Sequence, residues 1–171
     1  PLDENVWQSI KNVLEKAIES MEKMRVEEGA FLAKEIEKYC CEIEKKIEQI
    51  DLLAPKILEF YRERLKSKMT EISKLENFNF SSEDILKEIA IFSEKSDISE
   101  EITRLKSHLI QFKQNTGKNV PIGKTIEFIL QEMARESTTI SSKASNGECA
   151  SLIIDIKSLV EKIREQIQNI E

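Results

Sequence analysis

Apolar side chains recur every three or four residues along the first fifty positions, which is the period of one face of an α-helix. The stretch contains no proline after Pro1, and Gly29 is its weakest helix former. Asp3 stands where a side chain can cap the first turn. We therefore predict a first helix from Asp3 to about Ile50. Its apolar face is formed by Val6, Ile10, Val13, Ala17, Met21, Met24, Phe31, Leu32, Ile36, Tyr39, Ile43, Ile47 and Ile50.

Pro55 follows this stretch, and proline is well tolerated in the first turn of a helix. A second apolar stripe runs from there to about residue 75. The two stripes predict a long antiparallel helical hairpin as a first domain, residues 1–80, packed like an irregular coiled coil. The inner face of its second helix is formed by Ile57, Leu58, Tyr61, Leu65, Met69 and Ile72.

Residues 81–171 carry shorter apolar stripes between polar segments, which predicts a small helical bundle as a second domain. Ser81–Asp84 is typical of a helix start, and Ser96–Asp97 indicates a kink or a new cap. A loop is expected at residues 115–119, and a second loop or a frayed helix end at residues 141–147, where polar and small residues cluster.

The composition supports an all-α protein. Of 171 residues, 4 are glycine and 3 are proline, too few turn-forming residues for a β-sandwich, a barrel or a Rossmann-type fold. The three cysteines are an odd number without the C-x-x-C spacing of zinc sites, which favours free thiols in a reducing cytoplasm. We expect neither a membrane span nor a signal peptide. Because the sequence opens at Pro1 and enters a helix almost at once, we interpret it as a piece of a longer protein.

The net charge is −6, which argues against wrapping of nucleic acid by charge alone. Most of the acidic excess lies in residues 1–96, which hold 16 basic and 21 acidic side chains. Residues 97–171 hold 10 and 11, so this part can still carry a local basic surface.

His108 is the single histidine, which excludes zinc sites built from several histidines. Glu101 lies seven residues before it, so the two side chains share one helix face, with Arg104 beside them. That face borders the apolar stripe and predicts a half-buried histidine. A lone half-buried histidine is more often structural, but this set is the best candidate for acid–base chemistry in the chain.

Glu132 and Glu136 lie one turn apart on one helix face, where like charges repel unless a cation lies between them. The cation can be a metal ion with a further ligand from another helix. It can also be Arg104 or Arg135, in which case the charges form a structural network. The spacing alone favours this second alternative. A cluster of hydroxyls before Lys143 suits phosphate contacts, although a polar loop gives the same pattern.

The loop at residues 113–121 is short enough to make the helices on its two sides antiparallel neighbours. At about 1.5 Å per residue, Glu132 then lies level with residues 104–108. We therefore expect His108 to lie within one side-chain length of Glu132 or Glu136, across one groove.

Several segments together resemble the YicC/YloC family of bacterial stress-associated endoribonucleases. They are Asp97-Ile98-Ser99-Glu100-Glu101, Arg104-Leu105-Lys106-Ser107-His108, Gly123-Lys124, Gln131-Glu132-Met133, Arg135-Glu136, Ser142-Lys143 and the C-terminal run from Glu161. Met24-Arg25 with Glu28-Gly29 is similar to a further family segment, so the resemblance spans about residue 7 to the last residue. Family members carry an additional part ahead of that segment. The sequence departs from the family pattern at Ala134 and Thr138, where the family commonly has asparagine, at Ser141, where it has glycine, and at Asn146, where it has aspartate.

The resemblance implies a cytoplasmic enzyme that cleaves single-stranded regions of RNA. It also implies a homo-oligomer, a hexamer in the full-length protein, and dependence on a divalent metal ion, Mg²⁺ or Mn²⁺. The residues that we assign to catalysis are His108, Glu101, Glu132, Glu136 and Arg104, with Glu132 and Glu136 as metal ligands. Those that we assign to RNA binding are Lys106, Lys124, Arg135, Ser142 and Lys143.

A hypothesis of another class is a non-catalytic helical module for oligomerisation or RNA docking. The first helix supports self-association, because its apolar stripe between Phe31 and Ile47 is wider than one short partner helix can cover. Convergence of His108 and Glu136 in one cleft would favour the enzyme.

Overall fold

The structure, a computed structural model, describes residues 4–76, 81–116, 123–144 and 146–168. These residues form five helices in chain order, and no strand occurs among them. The predicted cap at Asp3 and most of the predicted loop at 115–119 lie outside these ranges. The helices are α1 (Glu4–Glu76), α2 (Ser82–Ser96), α3 (Ser99–Thr116), α4 (Gly123–Lys143) and α5 (Gly147–Gln168).

The prediction of an all-α protein, with a long helical element followed by shorter helices, is confirmed. No described helix is long and apolar enough to cross a membrane. Ser81 caps α2, because its hydroxyl accepts a hydrogen bond from the Asp84 N–H while the Asp84 carboxylate accepts one from the Ser81 N–H. The division into domains at residues 80 and 81 stays a prediction.

The predicted end of the first helix near Ile50, and with it the antiparallel hairpin, is wrong, because α1 continues through Pro55 as one helix of 73 residues. Ile50 on one side of Pro55 and Ile57 on the other are both buried in the common core. Pro55 itself is exposed, as is Asp51 one turn earlier, so water can solvate the carbonyl that the proline leaves without a donor. Burial on both sides outweighs the helix-breaking tendency of one exposed proline.

Replacing Pro55 with alanine should raise the free energy of unfolding by about 1–3 kcal/mol, since proline is the poorest residue for a helix interior. Urea unfolding followed by circular dichroism measures the change, with the exposed neighbour Lys56→Ala as control. A lower stability in Pro55→Ala would show that the core contacts of α1 require a bend at this position.

The core lies where the second half of α1 meets α3, α4 and α5. α5 packs against α1 and α4, and α3 packs against α4. Two of the cysteines are free thiols in this core, and burial raises the pKa of Cys40 to about 11. Cys41 is exposed. The most deeply buried large side chains are Phe112, Ile43, Ile47, Ile50, Leu105, Leu130, Met133, Ile140, Ile153, Ile156 and Ile163.

The N-terminal part of α1 extends beyond this core. Every side chain of residues 5–28 is exposed, including large apolar ones that lie on no described neighbour. The exposed apolar side chains are Val6, Trp7, Ile10, Val13, Leu14, Ile18, Met21, Met24 and Val26. Contiguous apolar surface of this kind is typical of an interaction face.

Candidate functional site

The side chains of His108, Glu132 and Glu136 converge between α3 and α4. Each offers one potential metal-ligand atom, and the three atoms lie within 4.8 Å of one another. His108 and Glu132 are half-buried, whereas Glu136 is buried. The expected approach of His108 to the two glutamates is therefore confirmed as geometry.

Packing of α3 against α4 brings these side chains together. The helices run antiparallel, because Lys143 at the end of α4 contacts Glu101 at the start of α3, while His108 lies beside the middle of α4. The three site residues lie at the edges of the apolar stripes that hold the two helices together. These stripes are formed by Leu105, Leu109 and Phe112 of α3 and by Ile129, Met133 and Ile140 of α4.

An arginine lies near each of the two carboxylates but is too far away for a direct hydrogen bond. Arg104 Nη1 lies 3.6 Å from Glu136 Oε1, and Arg135 Nη1 lies 3.8 Å from Glu132 Oε1. Both distances exceed the roughly 2.7–3.2 Å of a direct N–H···O hydrogen bond. Arg104 makes its shorter contact with Glu100, on the exposed side of α3. The structural network expected as an alternative is thus present but loose, and it leaves carboxylate oxygens open to a further cation.

His108 gives a second indication, beside the carboxylate oxygens, that this cluster can bind a further group. Within the described part of the chain, His108 Nδ1 is buried and has no hydrogen-bond partner. Buried polar atoms are seldom left unpaired, because such an atom loses its hydrogen bonds to water without replacement. The two carboxylates suit Mg²⁺ or Mn²⁺, and the imidazole favours Mn²⁺ over Mg²⁺, because Mg²⁺ in proteins takes oxygen ligands. The residues present therefore fit a metal ion.

Glu101 is placed differently from the other predicted catalytic residues. It is buried, and its Oε1 atom accepts a hydrogen bond from Lys143 Nζ at 2.7 Å. Lys143 also donates to the Asp97 carbonyl oxygen at 3.0 Å. Hydrogen bonds from Ser99, with the nearby charge of Lys143, hold the pKa of Asp97 below its usual value. The Glu101–Lys143 pair therefore joins the start of α3 to the end of α4, and Glu101 is not a member of the cluster around His108.

Replacing Lys143 with methionine should lower the free energy of unfolding by about 2 kcal/mol, because the buried Glu101 carboxylate then loses its counter-charge. A matched control is Lys113→Met, which removes a lysine at the same 2.7 Å from a far more exposed glutamate, Glu44. We expect this control to change stability by less than about 1 kcal/mol. Equal losses in urea titrations of the two variants would contradict the structural role of Lys143.

The remaining predicted RNA-binding residues are not members of the cluster, and each has different neighbours. Lys106 pairs with Asp51 of α1, and Lys124 is exposed in the first turn of α4. Arg135 is exposed beside Glu132, whereas the Ser142 hydroxyl donates to the Thr139 carbonyl oxygen. Sequence spacing could not foresee these ion pairs, since a long flexible side chain can reach several neighbours.

The four residues that depart from the family pattern are not members of the cluster around His108. Asn146 caps α5, because its Oδ1 atom accepts hydrogen bonds from the N–H groups of Glu148 and Cys149. Asparagine and aspartate cap helices about equally well, so this departure preserves the local structure. Ala134 packs against the core, Thr138 donates to a backbone carbonyl of its own helix, and Ser141 is exposed.

Comparisons with known proteins identify the family. The family described as "Endoribonuclease YicC-like, C-terminal" matches residues 50–171. A protein of Clostridioides difficile named "Probable endoribonuclease YicC" is 41% identical over 167 residues, which cover 97% of this chain and 56% of that protein. A protein of the same name from Haemophilus influenzae is 29% identical over 148 residues, covering 86% of this chain and 50% of that protein. The chain thus spans about half the length of these relatives, and it belongs to the YicC-like endoribonuclease family.

Proposed function

We propose that this chain is the C-terminal region of an endoribonuclease that cleaves single-stranded regions of RNA in the groove between α3 and α4. The observation that carries the proposal is the convergence of His108, Glu132 and Glu136 within 4.8 Å. The names of the relatives support the class of reaction.

In this proposal the three clustered side chains hold a divalent cation, Mg²⁺ or Mn²⁺, which supplies positive charge where negative charge develops on the scissile phosphate. Arg104 reaches the same place from the rim, since its side chain is exposed and lies 3.6 Å from Glu136. Its guanidinium can donate two hydrogen bonds to phosphate oxygens. The exposed side chain of Arg135 binds the RNA backbone beside the cluster, and that of Lys124 binds it near the start of α4. Lys106, Ser142 and Lys143 contact the RNA at the edges of the groove.

The attacking group separates two versions of the chemistry. If His108 accepts the proton of the ribose 2′-hydroxyl, the 2′-oxygen attacks phosphorus, the P–O5′ bond breaks, and a 2′,3′-cyclic phosphate forms. If His108 is a ligand only, water attacks phosphorus, one P–O ester bond breaks to leave a hydroxyl, and the product carries a phosphate monoester with no cyclic phosphate. The unpaired, buried Nδ1 of His108 supports the ligand role, because coordination of a cation would give this nitrogen a partner.

The experiment is a cleavage assay on an end-labelled single-stranded RNA, with a second substrate that carries one 2′-deoxy residue at the cut site. We expect cleavage with Mn²⁺, none after addition of EDTA, and undiminished cutting of the 2′-deoxy substrate. Loss of cutting at the 2′-deoxy position would show that the 2′-hydroxyl is the attacking group and would overturn the version in which water attacks. Cleavage that persists unchanged in EDTA would contradict the metal-dependent site.

A second role, self-association, is favoured by the exposed apolar side chains of residues 5–28. The stripe between Phe31 and Ile47 does not provide this surface as expected, because Ile36, Ile43 and Ile47 are buried in the core of the chain itself. Self-association fits a homo-oligomer, which we propose to be a hexamer in the longer protein, working in the cytoplasm. The same surface serves the alternative of a non-catalytic oligomerisation or RNA-docking module.

Light scattering measures the oligomeric state independently of cleavage. Met21→Glu should dissociate an oligomer that forms through the exposed face of residues 5–28, without altering the groove between α3 and α4. A strict monomer at tens of micromolar would contradict assembly through α1.

A further inference from the structure

A cavity of about 400 Å³ opens between the second half of α1, the end of α2 and the start of α5. None of its lining side chains belongs to the cluster around His108. Those that decide its chemistry are Phe60, Tyr61 and Arg64 of α1, Phe92 of α2, and Glu148 of α5. The cavity therefore combines aromatic rings, a cation and a carboxylate.

The aromatic wall is ordered by contacts within the fold. The rings of Tyr61 and Phe92 stack with centroids 3.4 Å apart and planes 3° from parallel. The Tyr61 hydroxyl donates a long hydrogen bond to Glu88 Oε1, at 3.4 Å. Phe60, the residue before Tyr61 on α1, lines the same cavity and is 63% exposed. An exposed ring beside an ordered aromatic pair is a surface on which a planar group can stack.

The polar groups of the cavity complement a nucleotide. Arg64 is exposed and makes no ion pair with any residue that the structure describes, so its guanidinium is available to a phosphate. Glu148 lies on the opposite side and can accept hydrogen bonds from the exocyclic amino group of a base. A methyl group added at Gly147 would meet nothing within 4 Å, so the space beside the α5 backbone is open.

The cavity adjoins one end of the groove between α3 and α4. Phe92 lies one turn before Ser96 at the end of α2, and Asp97 binds Lys143 through its carbonyl oxygen. On α4, Glu136 precedes Lys143 by seven residues, or about 10 Å along the helix. An RNA strand that leaves the cluster toward the end of α4 therefore reaches the cavity within a few nucleotides.

We propose that this cavity binds one unpaired base of the RNA substrate, with the base stacked on Phe60 and the adjoining phosphate held by Arg64. The inference rests on the proposed function, because that function brings RNA into the groove. Stacking on an aromatic side chain is tolerant of base identity, so the cavity anchors single-stranded RNA without reading its sequence.

The test measures binding of a fluorescently labelled single-stranded RNA to the 171-residue chain in EDTA, by anisotropy. Phe60→Ala should weaken binding about tenfold, the range expected for loss of one stacked base. Arg64→Gln should also weaken binding and reduce the salt dependence by about one phosphate contact. The matched controls are Leu52→Ala and Arg62→Gln, exposed residues of the same helix outside the cavity, which should bind like the unaltered chain.

The outcomes distinguish this proposal from the proposed function. RNA that binds in a Phe60-dependent manner but is never cleaved would support the cavity and refute the nuclease. Cleavage with Mn²⁺ and binding that Phe60→Ala and Arg64→Gln leave unchanged would refute the cavity alone. Absence of RNA binding would refute both. A free nucleoside monophosphate that binds as tightly as the RNA would assign the cavity to small nucleotides and overturn the proposal.

Discussion

Replacing Glu136 with glutamine should lower the rate of RNA cleavage at least about a hundredfold while the protein stays folded. The change keeps the shape of the side chain but removes the charge that completes the cluster with His108 and Glu132. Loss of one preorganised charged or donor group at a reacting phosphate or carbonyl commonly has an effect of about 10²–10³ on rate. The contact with Arg104 is long, at 3.6 Å, so its loss should alter the melting temperature little.

Glu127→Gln is the matched control for this prediction. Glu127 is also on α4 and also pairs with an arginine, Arg164, at 3.4 Å, but it takes no part in the cluster. Initial rates at saturating RNA with Mn²⁺ should be unchanged in this variant. A cleavage rate in Glu136→Gln equal to that of the unaltered chain, or an equal loss in Glu127→Gln, would place the chemistry elsewhere.

Truncating Phe112 to alanine should lower the free energy of unfolding by about 3–5 kcal/mol. The ring is 1% exposed and belongs to the stripe that packs α3 against α4. Its removal leaves a cavity that rigid helices can close only in part. Because domains of this kind have about 5–15 kcal/mol of stability in all, the variant should unfold at far lower urea concentration.

The control for Phe112 is Phe128, which is 60% exposed on α4. Phe128→Ala should change the stability by no more than about 0.5 kcal/mol. Similar urea midpoints for the two variants would contradict the packing of α3 on α4. That packing is the basis of the site, since it places His108 beside the two glutamates.

The sequence was sufficient for the helices and for the convergence of the site because both follow from periodicity. Apolar residues at helical spacing determine which face of α3 meets α4, and the antiparallel return then places Glu132 opposite His108. The hairpin expected at Pro55 does not form, because local propensity at a proline favours a helix boundary whereas packing in the core favours one continuous helix. Burial of Ile50 and Ile57 on the same continuous helix decides the matter, and no local pattern reports it.

Ion pairing was the part of the site that the sequence could not supply. The sequence places Lys143 among the residues expected to bind RNA and Glu101 among those expected in catalysis. In the structure these two side chains form an ion pair between α3 and α4. Lys106 likewise pairs with Asp51 of α1, 55 residues away. The partner of a lysine depends on which helices pack together and on its rotamer, and helical periodicity specifies only the face on which the residue starts.

Titration of the 171-residue chain with Mn²⁺ tests most directly whether His108, Glu132 and Glu136 form one metal site. Electron paramagnetic resonance of the bound ion reports both its stoichiometry and any nitrogen ligand. We expect one Mn²⁺ per chain with a nitrogen coupling that disappears in His108→Gln, and loss of the ion in Glu132→Gln and Glu136→Gln. Binding that these three substitutions leave unchanged, or no binding at millimolar Mn²⁺, would contradict the metal site.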